Sequence, residues 1–356
     1  MHRIPQRNTL AAQAAIILRE EIQSGAWIRH LPGEHELCEQ LNISRVTLRA
    51  ALEQLQREGL LKKPAPGRRR EIVAPRYATP TTTERVVLLT PHPLHSMSRF
   101  VLYWIDNLRQ HIAEAGHHLD VHCSLDCYKR SPGPALEALA ARLRPVGWIL
   151  YSSTAAMQEW FSDRALPCVI TGSRHPQVLL PAVDIDYRAV TRHAVGILLA
   201  RKHRHIVFLN LDSGLAGDLE SEEGFLDGLH KTGERAEGSV VHHDGTVPAI
   251  CAKLAHCLTR SSRPTAFLVA RPLHALTVVS YLMSRGIRVP ADAAVISRDD
   301  DQYLDHLVPS VAHYACSPTL LAKRISSIVL EMMRTGMVKP NQNLLMPEFV
   351  RGQTVG

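Results

Sequence analysis

The stretch "NISRVTLRAALEQLQREGLLKK", residues 42–63, decides the fold of the first part of this chain. Four of its apolar residues are spaced i, i+3, i+4 and i+7, which is the spacing of one buried helix face. They are Leu48, Ala51, Leu52 and Leu55. Ser44, directly before this pattern, is a good N-cap because its hydroxyl can accept a hydrogen bond from a free backbone N–H group. The stretch therefore predicts a helix that begins after Ser44 and ends near Gly59.

Two cations stand at the unfavourable end of this helix. Arg45 and Arg49 lie in its first turn and a half, off the apolar face, although the helix macrodipole favours negative charge there. The same positions suit contacts with DNA phosphates and guanine edges, which arginine binds well. Two interpretations stay open from this helix alone: the arginines contact DNA, or they only decorate a solvated face.

The residues before this helix complete a DNA-binding motif. "LPGEHELCEQL" (31–41) predicts a helix that starts near Gly33, with Leu37 and Leu41 facing inward. Asn42-Ile43 then makes a tight turn. Two short helices joined in this way form a helix-turn-helix, and the second of them places its N-terminal residues in the DNA major groove.

The residues after the helix predict a wing. "EGLLKKPAPGRRREIV" (58–73) contains two short strands around Pro64–Gly67, with Arg68, Arg69 and Arg70 at the tip. A basic hairpin that follows a helix-turn-helix can bind phosphates beside the adjoining minor groove.

Charge and composition support the same interpretation. Of 356 residues, the first 76 hold 13 Lys and Arg against 8 Asp and Glu, and the other 280 hold 28 against 26. This concentrated positive field indicates a polyanionic partner. Seven scattered cysteines do not indicate a disulfide framework. No apolar run reaches the roughly 18 residues that span a bilayer. We interpret "TLAAQAAIIL" (9–18) as an amphipathic first helix and expect a cytoplasmic protein without a membrane partner.

The pattern changes after the basic region. We predict a DNA-binding domain over 1–74, a linker over 75–84 ("PRYATPTTTE") and a larger domain over 85–356. In the larger domain short apolar runs alternate with amphipathic stretches, which predicts parallel, doubly wound α/β sheets in two lobes. The predicted strands are 86–90, 148–151, 168–171, 205–210, 265–269 and 293–297. The predicted helices include 99–115, 188–200, 221–230 and 272–285.

Residues 9–73 resemble the GntR-type winged helix. The match runs through Ile22, Gly25, Leu31-Pro32, Glu34, Leu37 and "ISRVTLRAALEQLQREGLL". The resemblance implies a set of DNA-contacting residues in the helix-turn-helix and wing. They are His35, Ser44, Arg45, Thr47, Arg49, Gly67, Arg68 and Arg69. Two positions depart from the family: His35 stands where an arginine is usual, and three arginines replace the usual Gly-x-Gly-Thr of the wing.

The larger domain resembles the ligand-binding part of LacI-type repressors. The most specific pieces include "VDIDYRAV" (183–190), "EEGFLDGL" (222–229) and "RGIRVPADAAVISRDDD" (285–301). The resemblance implies the type I periplasmic-binding-protein fold, in which two α/β lobes enclose a cleft. Regulators of the arabinose-repressor type join the same two modules in the same order. The predicted fold class is therefore α/β, with an N-terminal winged helix-turn-helix and a two-lobed, doubly wound domain.

Candidate ligand-binding residues follow the predicted strands, because doubly wound sheets bind ligands at the carboxyl ends of their strands. Our candidates are Ser96, Ser152, Asp186, Ser221, Arg271 and Asp299. The resemblance implies that Asp186 and Asp299 accept hydrogen bonds from ligand hydroxyls. It also places Arg271 at a position where the family has a ligand-binding asparagine, and Ser221 where it has an arginine.

The chemistry of the effector stays open between alternatives. The cleft can take a sugar, or Arg271 and Arg298 can bind a carboxylate or phosphate, for which the guanidinium fork is suited. Alternatively, both arginines pair with the carboxylates of Asp299–Asp301 and touch no ligand. Tyr187 and Tyr303 can stack on a sugar face or serve only in packing.

These patterns predict a ligand-responsive transcription regulator, a repressor of carbohydrate-related genes released from operator DNA by a small effector. We expect a homodimer on a palindromic operator, with helices 99–115 and 272–285 as dimer contacts. The alternative is a solute-binding or sensing protein without DNA function. We expect no cofactor, no metal site and no enzymatic activity, because the sequence has no catalytic, phosphate-loop or zinc motif.

Overall fold

The computed structural model describes most of the chain. The described residues are 10–24, 27, 30–41, 43–62, 69–73, 85–230, 236–259, 262–336 and 339–356. Contacts divide the chain into two compact units, Met1–Thr83 and Glu84–Gly356. The predicted linker, 75–84, lies outside the described residues. No described helix is long and apolar enough to cross a membrane.

The N-terminal unit is built on three helices. They are α1 (Leu10–Ser24), α2 (Glu34–Leu41) and α3 (Arg45–Arg57). The four apolar residues that predicted α3 are all buried in it, against apolar residues of α1 and α2. A bidentate ion pair from Arg19 to Glu58, at 2.8 to 3.0 Å, ties α1 to the end of α3. Gly59 follows with a φ of +78°, which ends the helix where the sequence predicted.

The base of the predicted wing is paired as a hairpin. Leu61 and Ile72 form an antiparallel bridge, and a second antiparallel bridge joins His30 to Glu71. The side chains of Leu61 and Ile72 are buried in the core of the three helices, so the hairpin is anchored to them. The tip, including Gly67 and Arg68, lies outside the described residues.

The C-terminal unit contains two six-stranded sheets, one in each lobe. The strands of lobe 1 are β1 (Arg85–Thr90), β2 (His118–Cys123), β3 (Gly147–Tyr151), β4 (Cys168–Thr171), β5 (Ala182–Ile185) and β11 (Gln342–Leu345). Those of lobe 2 are β6 (His205–Leu211), β7 (Glu237–His243), β8 (Ala266–Val269), β9 (Ala294–Ser297), β10 (Ala312–Ala315) and β12 (Glu348–Val350). The spatial orders are β11-β5-β4-β3-β1-β2 and β12-β10-β9-β8-β6-β7. Pairing is parallel except at β12, which confirms the predicted two-lobed, doubly wound α/β fold.

Helices cover both faces of each sheet. In lobe 1 these are α4 (Arg99–Glu114) and α11 (Pro318–Thr335) on one face, and α5 (Gly133–Leu143) and α6 (Ala155–Asp163) on the other. In lobe 2 they are α7 (Tyr187–Ala200) and α8 (Ala216–His230) on one face, and α9 (Val247–Thr259) and α10 (Pro272–Ser284) on the other. The central strands are therefore buried on both sides, as their uninterrupted apolar runs predicted.

A glycine lets α7 and α8 approach closely. A Cβ atom at Gly224 would lie 2.2 Å from the carbonyl oxygen of Arg188 and 2.3 Å from Oγ1 of Thr191. Neither backbone nor a buried hydroxyl can yield that much, so only glycine fits. The close contact brings the first turns of both helices, with Tyr187 and Asp218, to the same edge of the sheet.

A Gly224→Ala substitution is expected to lower the free energy of unfolding by about 1–3 kcal/mol, because the added methyl group overpacks the α7–α8 contact. Gly196→Ala is the matched control, since Gly196 lies in α7 and nothing would come within 4 Å of its Cβ atom. That control is expected to stabilise the protein by up to about 1 kcal/mol through helix propensity. Urea unfolding of the full chain measures both, and equal effects of the two substitutions would contradict the close contact.

Candidate DNA-binding surface and ligand cleft

Ser44 and Thr47 form the N-cap of α3. The Thr47 amide donates to Ser44 Oγ at 3.2 Å, and the two hydroxyl oxygens lie 2.9 Å apart. Ser44 adopts an extended backbone, as an N-cap residue does. Capping satisfies backbone groups at the end of the helix that would enter a DNA groove, so both hydroxyls are fixed before any contact with DNA.

Arg45 and Arg49 are both exposed on α3, off its buried face. Arg49 Nε donates to Oε2 of Glu34, the first residue of α2, at 3.1 Å. Glu34 therefore holds one of the two arginines across the helix-turn-helix. His35, beside it, is exposed and lies 3.6 Å from Glu39 through Nδ1.

The wing arginines differ in orientation. Arg69 is exposed, as a phosphate contact requires. Arg70, predicted at the tip, instead turns inward: its side chain is only 13% exposed, and Nη2 lies 3.8 Å from Glu34 Oε1. Its carbonyl oxygen also accepts a hydrogen bond from the Leu31 amide. The prediction for Arg70 was wrong because the residue belongs to the paired base of the hairpin.

A cavity of about 310 Å³ lies between the lobes of the C-terminal unit, at the carboxyl ends of the strands. Its aromatic lining residues are Phe100, Trp104, Tyr151, Tyr187 and Tyr314. Its polar and charged lining residues include Ser98, Ser152, Ser153, Thr171, Ser173, Asp184, Asp218, Arg271, Arg298, Asp299 and Asp300. Such a mixture of aromatic faces and converging polar groups is typical of a small-molecule site.

Three of the six candidate ligand-binding residues line this cavity, namely Ser152, Arg271 and Asp299. Ser152 follows β3 and has a φ of 51°, a left-handed conformation that turns the chain sharply at the cavity wall. Arg271 and Asp299 follow β8 and β9, which are neighbours in the sheet. Residues placed directly after adjacent parallel strands therefore meet, as the strand-end rule predicts.

The other three candidates do not line the cavity. Ser96 is exposed and donates to the Pro93 carbonyl at 2.8 Å. Asp186 caps α7, where its Oδ1 accepts from the Ala189 amide at 2.8 Å. Ser221 is fully buried and points to the protein interior. Each has a structural hydrogen bond in place of a position on the cavity wall.

Four charged residues of the wall form one ion-pair network, defined by Asp218, Arg271, Arg298 and Asp299. Arg271 Nη1 donates to Asp299 at 3.1 Å, and its Nη2 donates to Asp218 at 2.9 Å. Arg298 donates to the same two carboxylates at 2.9 to 3.0 Å. Two guanidinium groups and two carboxylates cancel in charge, so the network itself presents hydrogen-bonding groups without a net charge.

Arg298 is the buried centre of the network, with its side chain 1% exposed. Its Nη1 also donates to Ser221 Oγ at 2.8 Å, and its guanidinium carbon lies 4.1 Å from the centre of the Tyr187 ring. Burial disfavours the charged guanidinium, but Asp299 and Asp218 raise the pKa of Arg298 well above its ordinary value. Ser221 and Tyr187 therefore hold Arg298 in position. Ser221 itself does not line the cavity, and its link to the site is its hydrogen bond with Arg298.

Asp218 is the member of the network that sequence reasoning missed. It lies in the first turn of α8, beyond a loop that follows β6, and not directly after the strand. Its side chain is 3% exposed, and Oδ2 also accepts from the Ser213 hydroxyl at 2.6 Å. An aspartate in a helix's first turn ordinarily indicates only dipole stabilisation, so no sequence signal separates this one.

A second acidic group was also missed. Asp184, on β5 of lobe 1, accepts a short hydrogen bond from the Ser173 hydroxyl. Glu220, on α8 of lobe 2, lies 3.1 Å from the same hydroxyl oxygen. One hydroxyl has a single proton to donate, so the two carboxyl groups compete for it. Burial raises the pKa of Asp184 to about 7, and burial also raises the pKa of Glu220.

Fold and cleft together define a class of protein: a helix-turn-helix DNA-binding module joined to a two-lobed ligand-binding module. Residues 10–63 match the gntR family of bacterial regulatory proteins. Residues 195–355 match the periplasmic binding protein-like domain. The chain therefore combines a segment that matches the gntR-type helix-turn-helix with a segment that matches a periplasmic binding protein-like domain.

Two curated relatives are similar to parts or most of the chain. The HTH-type transcriptional regulator CelR of Thermobifida fusca is 25% identical over 166 residues, which cover 46% of this chain and 49% of that protein. The chain thus matches about half the length of CelR. The arabinose metabolism transcriptional repressor of Geobacillus stearothermophilus is 23% identical over 305 residues, covering 80% of this chain and 81% of that protein.

A solved structure supports the fold over most of the chain. The transcriptional regulator CelR–cellobiose complex superposes with a TM-score of 0.68 at 18% identity. The superposition covers 91% of this chain and 100% of that one. At 18% identity this similarity establishes the fold alone. The chemistry of the site follows from the residues that line the cleft.

Asp184→Asn is expected to flatten the pH dependence of stability. Because the pKa of Asp184 is raised from 3.8 to about 7 on folding, stability from this group is full at low pH and lost as pH rises through 7. The wild-type free energy of unfolding should fall by up to about 1.4 kcal/mol per pH unit between the two pKa values, 3.8 and about 7. Urea unfolding between about pH 5 and pH 8 measures the slope.

Asp163→Asn, at an exposed aspartate of the same lobe, is the matched control and should keep the wild-type slope. Identical slopes for the wild type and for Asp184→Asn would contradict a raised pKa of this carboxyl group in the folded protein.

Proposed function

We propose that this protein is a ligand-responsive transcription regulator that binds operator DNA through its N-terminal unit. We further propose that it represses carbohydrate-related genes until an effector binds the cleft and releases it. The single observation that supports this most strongly is the match of 10–63 to the gntR family on the same helix that exposes Arg45 and Arg49. The relatives described above are transcription regulators by name, and one is a repressor.

The operator is proposed to be palindromic and bound by a homodimer. Two-fold operators mirror two-fold proteins, and each half-site then receives one copy of α3. Tyr103 on α4 and Leu273 on α10 are exposed apolar side chains on the two helices that the sequence singled out for dimer contacts. Burial of such side chains between two copies would favour association.

The effector is proposed to be a neutral sugar. The argument rests on the ion-pair network: both Arg271 and Arg298 already have two carboxylate partners at 2.9 to 3.1 Å. An anionic ligand would have to displace Asp218 or Asp299, leaving a buried carboxylate unpaired, which is strongly unfavourable. A neutral hydroxylated ligand can instead donate to the carboxylates and accept from Arg271 without breaking an ion pair.

Aromatic side chains support the same ligand class. Trp104 and Tyr151 line the cavity with ring centroids 5.8 Å apart, and Tyr187 faces it from lobe 2. Flat apolar rings beside charged hydrogen-bonding groups match the alternating apolar and hydroxylated faces of a sugar ring. The solved CelR complex contains cellobiose, and the Geobacillus relative is an arabinose-metabolism repressor.

The DNA-binding proposal is tested with the double variant Arg45→Ala, Arg49→Ala. Each arginine that reads a base contributes about 1–3 kcal/mol, so operator affinity should fall by several kcal/mol and the salt dependence should weaken. The operator is first selected from random DNA with the wild-type chain. Binding is then measured by fluorescence anisotropy, with two chains expected per palindrome.

Arg57→Ala is the control, because it removes one arginine charge from the last residue of α3 and should leave affinity nearly unchanged. Undiminished binding by the double variant would contradict the proposed role of Arg45 and Arg49 on DNA. Failure of the wild-type chain to bind any DNA sequence selectively would favour the rival function, a solute-binding or sensing protein without DNA function.

The effector proposal is tested by a thermal-shift panel of cellobiose and arabinose against a sugar phosphate and a sugar acid. A neutral sugar at 100 times its dissociation constant should stabilise the protein by about 2.7 kcal/mol, while the anionic ligands should give no shift. Arg271→Gln should preserve the shift by the neutral sugar within a few-fold in affinity. The ligand should also be recovered unchanged, since we propose that the protein is not an enzyme.

Arg288→Gln serves as the control, because Arg288 is an exposed arginine of lobe 2 paired with Asp292. Stabilisation by the anionic ligands alone, abolished by Arg271→Gln and kept by Arg288→Gln, would contradict the neutral-sugar proposal and establish the anionic alternative.

A further inference from the structure

Val46 is the second residue of α3 and is 80% exposed. On a helix with 100° per residue it lies about 160° from Leu48, on the side opposite the buried face. Ala50, four residues later, is exposed on the same side, with Arg45 and Arg49 alongside. We call Arg45, Val46, Arg49 and Ala50 the recognition face. It combines two guanidinium groups with two apolar side chains.

Neither helix propensity nor burial favours valine at this position in the isolated protein. A β-branched side chain loses rotamer freedom in a helix, which lowers its helix propensity relative to alanine or arginine. An isopropyl group in water also gives no burial energy. A single exposed apolar residue is common and needs no explanation. This one stands at the centre of the face that the proposed function turns toward the major groove.

Val46 can read only one feature of the major groove. An isopropyl group neither donates nor accepts a hydrogen bond, so guanine, cytosine and adenine edges offer it no partner. Thymine carries a C5-methyl group there, which makes apolar contacts with small side chains. Ser44 carries no methyl group and Thr47 is half-buried, so Val46 is the more exposed apolar group at this end of α3.

We infer that Val46 is a specificity determinant that selects a thymine in each half-site of the operator through contact with its C5-methyl group. This inference rests on the proposed DNA-binding function. It assigns to the apolar part of the recognition face a role distinct from that of the arginines: Arg45 and Arg49 supply affinity and guanine contacts, whereas Val46 discriminates T·A from the other base pairs at one position.

The test replaces thymines of the selected operator one at a time by deoxyuridine, which removes only the C5-methyl group. For the full wild-type chain, one thymine per half-site should be sensitive, with affinity falling about four-fold, the value of one buried methyl group. Val46→Ala should bind the unmodified operator more weakly and should lose sensitivity to deoxyuridine at that same thymine. Val46→Thr, which keeps one methyl group and nearly the same shape, should retain part of it.

Val308→Ala is the matched control, because Val308 is an 88% exposed valine of the C-terminal unit. It should leave affinity and thymine sensitivity unchanged. Equal sensitivity of the wild type and Val46→Ala at every thymine would overturn the inference, as would a wild type that is insensitive at all of them. Failure of the wild type to enrich any DNA sequence would overturn the proposed function itself, and the inference with it.

Discussion

Two guanidinium groups and two carboxylates, packed together at the carboxyl ends of the lobe 2 strands, constrain the rest of the cleft. A charge moved out of water is strongly unfavourable unless it is paired and hydrogen-bonded. Arg298 is 1% exposed, and Asp218 and Asp299 compensate its buried charge. Loss of Arg298 or Asp218, which are 1% and 3% exposed, leaves an uncompensated buried charge, which costs about 3–5 kcal/mol in comparable pairs. The α7–α8 contact is therefore also required, since it delivers Asp218 and the Tyr187 ring to the network.

Much of the fold could be predicted from the sequence, and four of the six missed strands share one physical cause. The six predicted strands are all present, and they lie at or near the centre of a sheet, where burial on both faces demands an apolar run. The four edge strands β2, β7, β11 and β12 were not predicted. "HLDVHC" and "EGSVVHH" carry polar residues because an edge strand is partly exposed. The interior strands β5, "AVDI", and β10, "AHYA", were also missed. Each has only four residues and contains a buried polar side chain, Asp184 or the histidine that pairs with Asp300, which hides its apolar pattern.

The site residues also fall into two groups. Those placed by local sequence were predicted, and those placed by contacts between distant segments or by an unpredicted strand were missed. Arg271 and Asp299 were found together because strand order alone places them side by side. Asp218 was missed because helix packing brings it to the cavity, and Asp184 was missed because its strand, β5, was not predicted. Ser221 was assigned to the ligand by position, but the phase of α8 turns it toward Arg298. In the N-terminal unit, cap, apolar spacing and exposed arginines are all local, so α3 was predictable almost to the residue.

Within the described residues few polar contacts join the two lobes. These contacts therefore do little to fix the relative position of the lobes. Ser173 lies 3.1 Å from Glu220, and Arg99 donates to Gln302 at 2.8 Å. A single hydrogen bond contributes about 0.5–1.5 kcal/mol net, so such contacts hold the lobes only weakly. A ligand between Trp104 of lobe 1 and Tyr187 of lobe 2 buries apolar surface on both sides at once. Because a ligand shifts an equilibrium only by its differential affinity for the two states, contact with both lobes is what converts binding into a change of shape.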